Sequence, residues 1–511
     1  MRGVPGLTGG GTLASRDAVQ RTGEISLQDI LALEDDASVL DFRCDDTDLP
    51  LWPLIRIVVI RMVMSDLLYG TSLDGIGTAP SVSVAAFSTM LRSIGHNVRA
   101  RHSQRADVCI MSSAVANQLV DGKWFNRITD PFASVCQEST LTIEEPFEWR
   151  WQSPRQNSRL RFFAPRQAVG AVVGRLRVSA RHRAVAAGLV ELVLGRARAH
   201  LDWSCGDTRR RQLVDMLARK LASLPTQYRA YESMLSASRP KLLLVTAGCY
   251  GPLSPLLAAA NRRDIATAEL QHGAVSKGHD AYNVAGAVAA ASSYREGLPA
   301  TFLSYGSWWH TQFNAPIAKR AIGNPHRETR VATLSSTAAE KRDLLLLSDG
   351  IELALYMAHA QEIAAAVGTL GLEIVLRPHP LERTEAQRRY GTRSGDVRLD
   401  YQADLYASLS TAHAVISEVS TGLFEAVGVA EKIFIWDTPK ARFAYPSHPF
   451  QAFSTVVMLV DLLRQGSPGR IGANDLESVW ASGWRDRYVE FLAEVDVRCS
   501  RKSDSVDPPP R

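Results

Sequence analysis

The chain reads as an α/β protein of two doubly wound domains, and three observations predict it. Its 511 residues are too many for a single compact core. Short apolar runs rich in Val, Leu and Ile, bounded by glycine, alternate with helical stretches on both sides of a polar segment near residue 325, as buried parallel strands joined by helices do. The composition, 46% hydrophobic with 22% charged and 7% aromatic residues, is that of an ordinary globular protein.

The elements follow in order. Residues 1–40 read as a loose start with a short helix. DDTDLPLWPLIRIVVIRMVMSDLLYG is an acidic turn followed by a helix. Its Asp46 and Asp48 form a D-x-D, a pattern that elsewhere holds a divalent ion against a diphosphate; ahead of any nucleotide-binding strand it reads instead as an acidic helix cap. ADVCIMSS is the first strand, ending at Ser112 and Ser113, and DGKWFNRITDP is a loop at its carboxyl end, where open α/β sheets bind ligands. After a basic helical insert at 151–200 and a helix through Tyr228, KLLLVTAG, DIATAELQHG and PATFLSYGSWW are strands running into loops, with SPLLAAANRR as a helix between the first two. IGNPHRETRVATLSSTAAEKR is a linker. Beyond it DLLLLSDG, EIVLRPHP, AVISEV and KIFIWD are strands, with helices through ALYMAHAQEIAAAVGTL, after DLYASLS and from Ser420. The predicted organisation is a flexible start over 1–40, a first domain over 41–325, a second over 326–450, helices over 451–500 and a disordered tail over 501–511.

The net charge of +5 is local: residues 151–200 hold ten arginines and one acid, Glu191, giving +9 there and −4 elsewhere. Arg175, Arg177, Arg181, Arg183, Arg196 and Arg198 flank an apolar middle, so this stretch reads as amphipathic helices suited to an anionic membrane surface. A solvated helical face or the lining of an anion-binding cleft accounts for it equally well. Nucleic acid is not expected, because neither zinc-finger spacing nor an aromatic RNA-binding signature accompanies the arginines. Six scattered cysteines without a C-x-x-C pair point to reduced thiols. Residues 1–21 carry no apolar signal region and no stretch has the run of about eighteen apolar residues that a membrane span needs. The expectation is a cytoplasmic protein, at most peripheral on the inner face of the plasma membrane.

Four blocks carry candidate chemistry. In SEVSTGLFEAVGV a buried strand ends in a Ser/Thr/Gly turn that opens a helix, so Ser420, Thr421 and Gly422 form a candidate phosphate cradle, with Glu425 in reach of a ribose hydroxyl; Ser420 as a mere N-cap and Glu425 as an ordinary surface residue fit as well. In LRPHP the prolines on either side of His379, among them Pro380, stiffen the loop, leaving His379 to donate to a departing phosphate. Arg377 is either its charge partner or a structural ion pair. In ELQHGAVSKGHDAY, Gln271 and His272 stand where a strand meets a glycine loop. His272 is the candidate general base toward an acceptor hydroxyl, Lys277 and His279 are candidate anion contacts, and Asp280 orients a base or serves as one. No metal is expected, since the gap between His272 and His279 matches no zinc spacing. In SYGSWWH, Tyr305, Trp308 and Trp309 are either sugar-stacking aromatics or interdomain packing.

Taken together, QHGxxxxGHxxY, SYGSWW, RPHP and S-x-x-S-T-G-x-x-x-E-A resemble, in patches over residues 105–445, the bacterial capsule and lipopolysaccharide glycosyltransferases of GT-B fold. There is a looser similarity to teichoic-acid CDP-glycerol glycerophosphotransferases and bacterial sialyltransferases. The resemblance implies two facing Rossmann-like domains with parallel sheets. It maps donor phosphate and sugar binding to His379, Pro380, Ser420 and Thr421, and the catalytic H-G histidine to His272. The acid-acid-Gly motif of the sialyltransferases has no counterpart, although Ser348, Asp349 and Gly350 fall near its place. The expected partners are a nucleotide-sugar donor and a glycan or lipid-linked glycan acceptor, with no metal cofactor. The alternatives are a glycerophosphotransferase, a nucleotide-sugar epimerase of the same fold, against which the chain lacks an early glycine-rich strand-loop, and a non-catalytic partner in polysaccharide assembly.

Overall fold

A computed structural model describes residues 25–69, 84–100, 103–334, 341–402, 404–465 and 473–498. The expected loose start up to residue 24, the middle of the linker and the tail over 501–511 lie outside the described residues.

Two seven-stranded sheets organise the chain. The first is built from β1 (Val108–Ser113), β2 (Thr140–Glu145), β3 (Leu160–Phe162), β4 (Leu242–Val245), β5 (Ala266–Leu270), β6 (Thr301–Ser304) and β7 (Ala318–Ala321) in the order β3-β2-β1-β4-β5-β6-β7, all parallel. The second is built from β8 (Asp343–Leu347), β9 (Glu373–Arg377), β10 (Arg393–Ser394), β11 (Val397–Leu399), β12 (Ala412–Ser417), β13 (Lys432–Trp436) and β14 (Gln451–Phe453) in the order β10-β11-β9-β8-β12-β13-β14, parallel except for the β10–β11 pair. Leaving aside β7 at the end of one sheet and β10 at the end of the other, both follow the doubly wound order 3-2-1-4-5-6. Winding therefore reverses between β1 and β4 and between β8 and β12, leaving a crevice at the carboxyl ends of each pair. The molecule is two Rossmann-like domains facing each other in the GT-B arrangement. Leu344, Leu345, Leu346, Ile416 and their counterparts Val108, Ile110 and Leu244 are buried, which is why these strands read as unbroken apolar runs.

The helices that matter below are α1 (Trp52–Met64), α2 (Val84–Arg99), α3 (Ala164–Leu176), α4 (Ala180–Leu201), α5 (Asp207–Ser238), α6 (Gly422–Glu425), α7 (Val456–Arg464), α8 (Ala473–Val479) and α9 (Trp484–Glu494). The region beyond residue 450 divides. Leu459, Val460 and Leu463 of α7 pack into the core of the second domain, whereas Tyr488, Phe491 and Leu492 of α9 cross back beneath β1 and β4 of the first, with Tyr488 against Phe132 at 4.9 Å. On the way Trp480 donates its indole N–H to the Phe424 carbonyl at 3.0 Å, and Trp309 donates to Val479 at 2.8 Å, tying the domains together.

Four expectations are corrected. Leu160–Phe162, assigned to a helical insert, is an edge strand, too short to read from periodicity. The loop after β1 is largely a hairpin of Asn117–Val120 and Lys123–Asn126. Asp48 caps no helix: it stands in the turn between Arg43–Cys44 and Leu49–Pro50 at φ 53°, held by Arg43 at 2.6 Å, and Leu51 is the residue before α1. Cys136 is disulfide-bonded, so the thiols are not all reduced; Cys44, Cys109, Cys205 and Cys249 are free, and distance along the chain is no guide to distance in the fold.

A candidate active-site cleft between the two domains

The carboxyl ends of both sheets open on one cavity of about 830 Å³. From the first domain it is lined by Arg61, Asn117, Arg127, His272, His279 and Asp280, among others, and from the second by the turns that follow β8, β9 and β12. Of the predicted site residues it gathers His272, His279, Asp280, Arg377, His379, Pro380, Ser420, Thr421, Gly422 and Glu425.

On the second-domain wall, Arg377 ends β9 with its guanidinium already spent. It donates to Asp400 and Ser408 at 2.8 Å and to the Gln402 carbonyl at 2.9 Å, and both Arg377 and Asp400 are buried. It is the structural ion pair rather than a free charge for phosphate. His379, two residues on, is held by its backbone N–H, which donates to Ser348 Oγ at 2.8 Å; Ser348 in turn donates to Glu382. Gly350, at φ +88°, leaves the space for the ring, since a Cβ there would stand 2.6 Å from His379 Nδ1. The Leu381 N–H reaches Nδ1 at 3.4 Å, which places the proton of the neutral ring on Nε2. Burial holds the His379 pKa below the usual histidine value, against the pull of Asp349.

The Ser420 turn is partly self-satisfied: Ser420 Oγ accepts from Gly422 N at 3.1 Å, so the Gly422 amide expected to bind phosphate is taken. Thr421 Oγ1 accepts from Ala274 N at 3.2 Å, a direct link between the two walls. Gly422 packs where a Cβ would come within 2.4 Å of Leu347. Glu425 is buried rather than exposed; it accepts a hydrogen bond from the Tyr406 hydroxyl, and burial raises its pKa. The carboxylate offered to a ribose is therefore shared with Tyr406.

On the first-domain wall, Gln271 does not reach the cavity. Its amide donates to the Gly273 carbonyl and accepts from Tyr305 N, both at 2.8 Å, clamping the turn after β5 to the one after β6. His272, the next residue, lines the cavity with 24% of its side chain exposed. Its Nδ1 lacks a hydrogen-bond partner and lies 4.0 Å from Oε1 of buried Glu269, which accepts from the Tyr282 hydroxyl at 2.6 Å and from Cys249 N at 2.9 Å. Burial first, then His279 and Arg127, bring the His272 pKa down to about 4, so the ring is neutral at neutral pH. His279 sits between the Tyr250 hydroxyl, 3.1 Å from Nε2, and the Ala281 N–H, 3.2 Å from Nδ1. Burial pushes the Asp280 carboxyl up, but Arg61 at 2.7 Å more than offsets it and holds the pKa well below the usual range. Asp280 is a fixed anion that orients His279, 3.3 Å away, and not a base itself.

Three more predicted residues, besides Gln271, lie elsewhere. Lys277 lines a separate cavity of about 540 Å³ with Phe313 and Arg442. Tyr305 packs on Trp480 with ring centres 5.0 Å apart, and Trp308 on Phe424 at 5.3 Å, so these aromatics are interdomain packing and not a sugar platform. Two residues that sequence reasoning passed over take their place. Arg127 and Arg383 line the cavity from opposite walls, and neither guanidinium has an ion-pair partner among the described residues. Arg383 Nε is shielded from solvent and makes no hydrogen bond. The signal for both was position: Arg127 falls in the strand-end segment KWFNRITDP and Arg383 just beyond the RPHP turn.

Beside the cavity the carboxylates of Asp349, Glu352 and Glu418 converge closely enough to hold a cation. Their centre is occupied by Lys440 Nζ, at 2.7, 2.6 and 2.6 Å from the three, so the cluster is balanced by an ammonium.

No family model and no curated protein matches the sequence. Among solved structures the chain is similar to the UDP-GlcNAc 2-epimerase from Methanocaldococcus jannaschii (8% identity over 76% of this chain and 99% of that chain, TM-score 0.43). It is similar also to the UDP-GlcNAc 2-epimerase from Neisseria meningitidis bound to UDP-GlcNAc (11%, 76% and 99%, TM-score 0.38) and to the wall teichoic acid polymerase TagF (9%, 81% and 93%, TM-score 0.36). The assignment of two facing Rossmann-like domains rests on the strand orders of the two sheets.

Proposed function

We propose that this protein is a glycosyltransferase that takes a sugar from a nucleotide-sugar held by the second domain and passes it to a growing capsule or lipopolysaccharide glycan, free or lipid-linked, held by the first, at the cytoplasmic face of the membrane and without a metal ion. The observation that carries this reading is the meeting, across one cavity and at the reversal point of both sheets, of His272 from one domain with His379 and the Ser420 turn from the other.

Transfer breaks the bond between the sugar and the donor phosphate, forms one to an acceptor oxygen and displaces the hydroxyl proton. His272 is neutral and open to the cavity, so it accepts that proton, and the Glu269 carboxylate behind its Nδ1 stabilises the resulting imidazolium. The phosphate gains negative charge as it leaves. His379 donates Nε2–H to it, and Arg383 and Arg127 supply the unpaired positive charge that Arg377 does not. The exposure of His272 speaks for catalysis over a role as a silent assembly partner.

The test is calorimetric titration with CMP, CDP, UDP, GDP and dTDP in the absence of metal, repeated on His379→Ala and Arg383→Ala. One nucleotide binds, and each variant weakens it by about tenfold or more; binding unchanged in both variants, or none in wild type, overturns the donor site. Incubating the matching nucleotide-sugar without acceptor then separates the chemistries. A transferase leaves the sugar intact, whereas an epimerase converts it.

A further inference from the structure

We propose that α2 and α3 form the surface by which this protein lies on an anionic lipid bilayer. The contact shares with the proposed function only the membrane-borne acceptor that gives it a purpose, and binding to lipid stands or falls apart from sugar transfer.

The α2 helix is built inside out. Val84, Phe87, Leu91, Ile94 and Val98 recur at alternating spacings of three and four residues, which lines them along one face, and they are 41–88% exposed. The buried face is polar: Thr89 and Ser93 are enclosed, and Thr89 donates to the Trp149 carbonyl. The reason is the sheet edge. Strand β3 is the outermost strand of the first sheet, and α2 lies along its outer side. Asn97 bonds to it as a strand would, its side chain donating to the Phe162 carbonyl and accepting from Phe162 N, both at 2.9 Å, while His96 Nε2 lies 3.1 Å from the Leu160 carbonyl. Covering the edge consumes the polar side of α2 and turns its apolar side outward.

The neighbouring α3 packs against α2 and extends the surface with Val169, Val172 and Leu176, each more than half exposed. Neither helix contains an Asp or Glu. Arg92 and Arg99 flank the α2 stripe, Arg175 and Arg177 lie at the end of α3, and all four are exposed. A shallow groove of about 440 Å³ beside the stripe is lined by Leu91, Arg92, Gly95, His96, Arg99 and Trp151, the pairing of cations with an indole found at lipid headgroups. That charge pattern decides the occupant. A second copy would bring an acid-free basic face against another, whereas an anionic bilayer offers apolar depth and opposite charge together. Much of the basic stretch itself is committed inside the protein: Leu189, Val190 and Val193 of α4 are core, Arg155 pairs with Glu144, and Arg196 pairs with Asp36.

The test is co-sedimentation of the full chain with phosphatidylcholine vesicles, with and without phosphatidylglycerol. The protein pellets with the anionic vesicles, and the triple variant Phe87→Gln, Leu91→Gln, Ile94→Gln weakens partitioning by about tenfold or more. Arg92→Gln with Arg99→Gln weakens it by about fivefold or more and flattens its salt dependence. Because these side chains are exposed, each variant keeps its thermal midpoint and its nucleotide affinity, and both are measured alongside. Equal binding to neutral and anionic vesicles, or a triple variant that partitions like wild type, overturns the proposal. So does a dimer in solution that the triple variant converts to monomer, which would assign the stripe to a second copy. Vesicle binding without sugar transfer would sink the transferase reading and leave this one standing.

Discussion

Arg377 and Gln271 stand at comparable places in the two domains, each at the carboxyl end of a parallel strand just before a turn that faces the cleft, and each has a histidine within two residues. In both cases the strand-end side chain is buried and fully engaged, Arg377 with Asp400, Ser408 and Gln402, Gln271 with Gly273 and Tyr305, while the histidine beyond it reaches the cavity. The division is physical. The last side chain of a buried strand has no water to turn to and must find partners in the protein, and in doing so it locks the turn. The next residue is then held in place without being consumed.

This contrast breaks most decisively at Arg377. Arg377→Ala leaves Asp400 buried without its cation and destabilises the protein by about 3–5 kcal/mol in chemical denaturation. His379→Ala stays within about 1 kcal/mol of wild type but loses nucleotide affinity. An Arg377→Ala protein as stable as wild type would mean that the arginine is free for phosphate after all. In the first domain, His272→Asn lowers kcat by about 100-fold or more with nucleotide affinity intact. Gln271→Ala strands the Tyr305 N–H and costs about 1–2 kcal/mol of stability instead. Arg383→Ala comes next in size, weakening nucleotide binding by about tenfold, whereas Arg383→Lys restores part of it.

How much of this was legible follows the same division. Strands such as Asp343–Leu347 and Leu242–Val245 are buried on both faces, so hydrophobicity alone marks them, and the histidines stand out because they follow such strands directly. Which strand-end residue serves structure was not legible, because the partners of Arg377 lie 23–31 residues further along. Arg127 was hidden for a related reason: its place depends on a hairpin whose strands, Asn117–Val120 and Lys123–Asn126, are four residues each and bury only Asn126, so they lack the unbroken apolar run that marks the sheet strands. The return of α9 to the first domain was equally silent, since Tyr488, Phe491 and Leu492 announce a buried face without saying against which sheet. The outward stripe of α2 lay in a segment the sequence reading passed over, and spacing alone would not have shown its direction, because an apolar face at helical spacing ordinarily points inward; it is the bonding of Asn97 to β3 that turns it out.

The finest test of the comparison is a proton. In the free protein His272 titrates near pH 4 because burial, His279 and Arg127 all disfavour its charge. A donor diphosphate in the cavity adds negative charge facing those same groups and raises the His272 pKa toward the ordinary histidine value, so the complex holds more protons than the free protein between about pH 4 and 6.5. Binding of the cognate nucleotide-sugar is therefore coupled to proton uptake in that window and tightens as pH falls through it. Calorimetry in buffers of different ionisation enthalpy reads the uptake as a fraction of one proton. His326, lowered to about 4 by burial, Arg127 and Arg330, and His379, which burial also holds below its ordinary value, line the same cavity, so the measurement compares His272→Asn with His326→Asn and His379→Asn. Loss of most of the uptake in His272→Asn places the donor charge against the proposed base. Uptake that survives there and disappears in His326→Asn moves the phosphate toward Arg330 and breaks the assignment of His272 to the reacting centre.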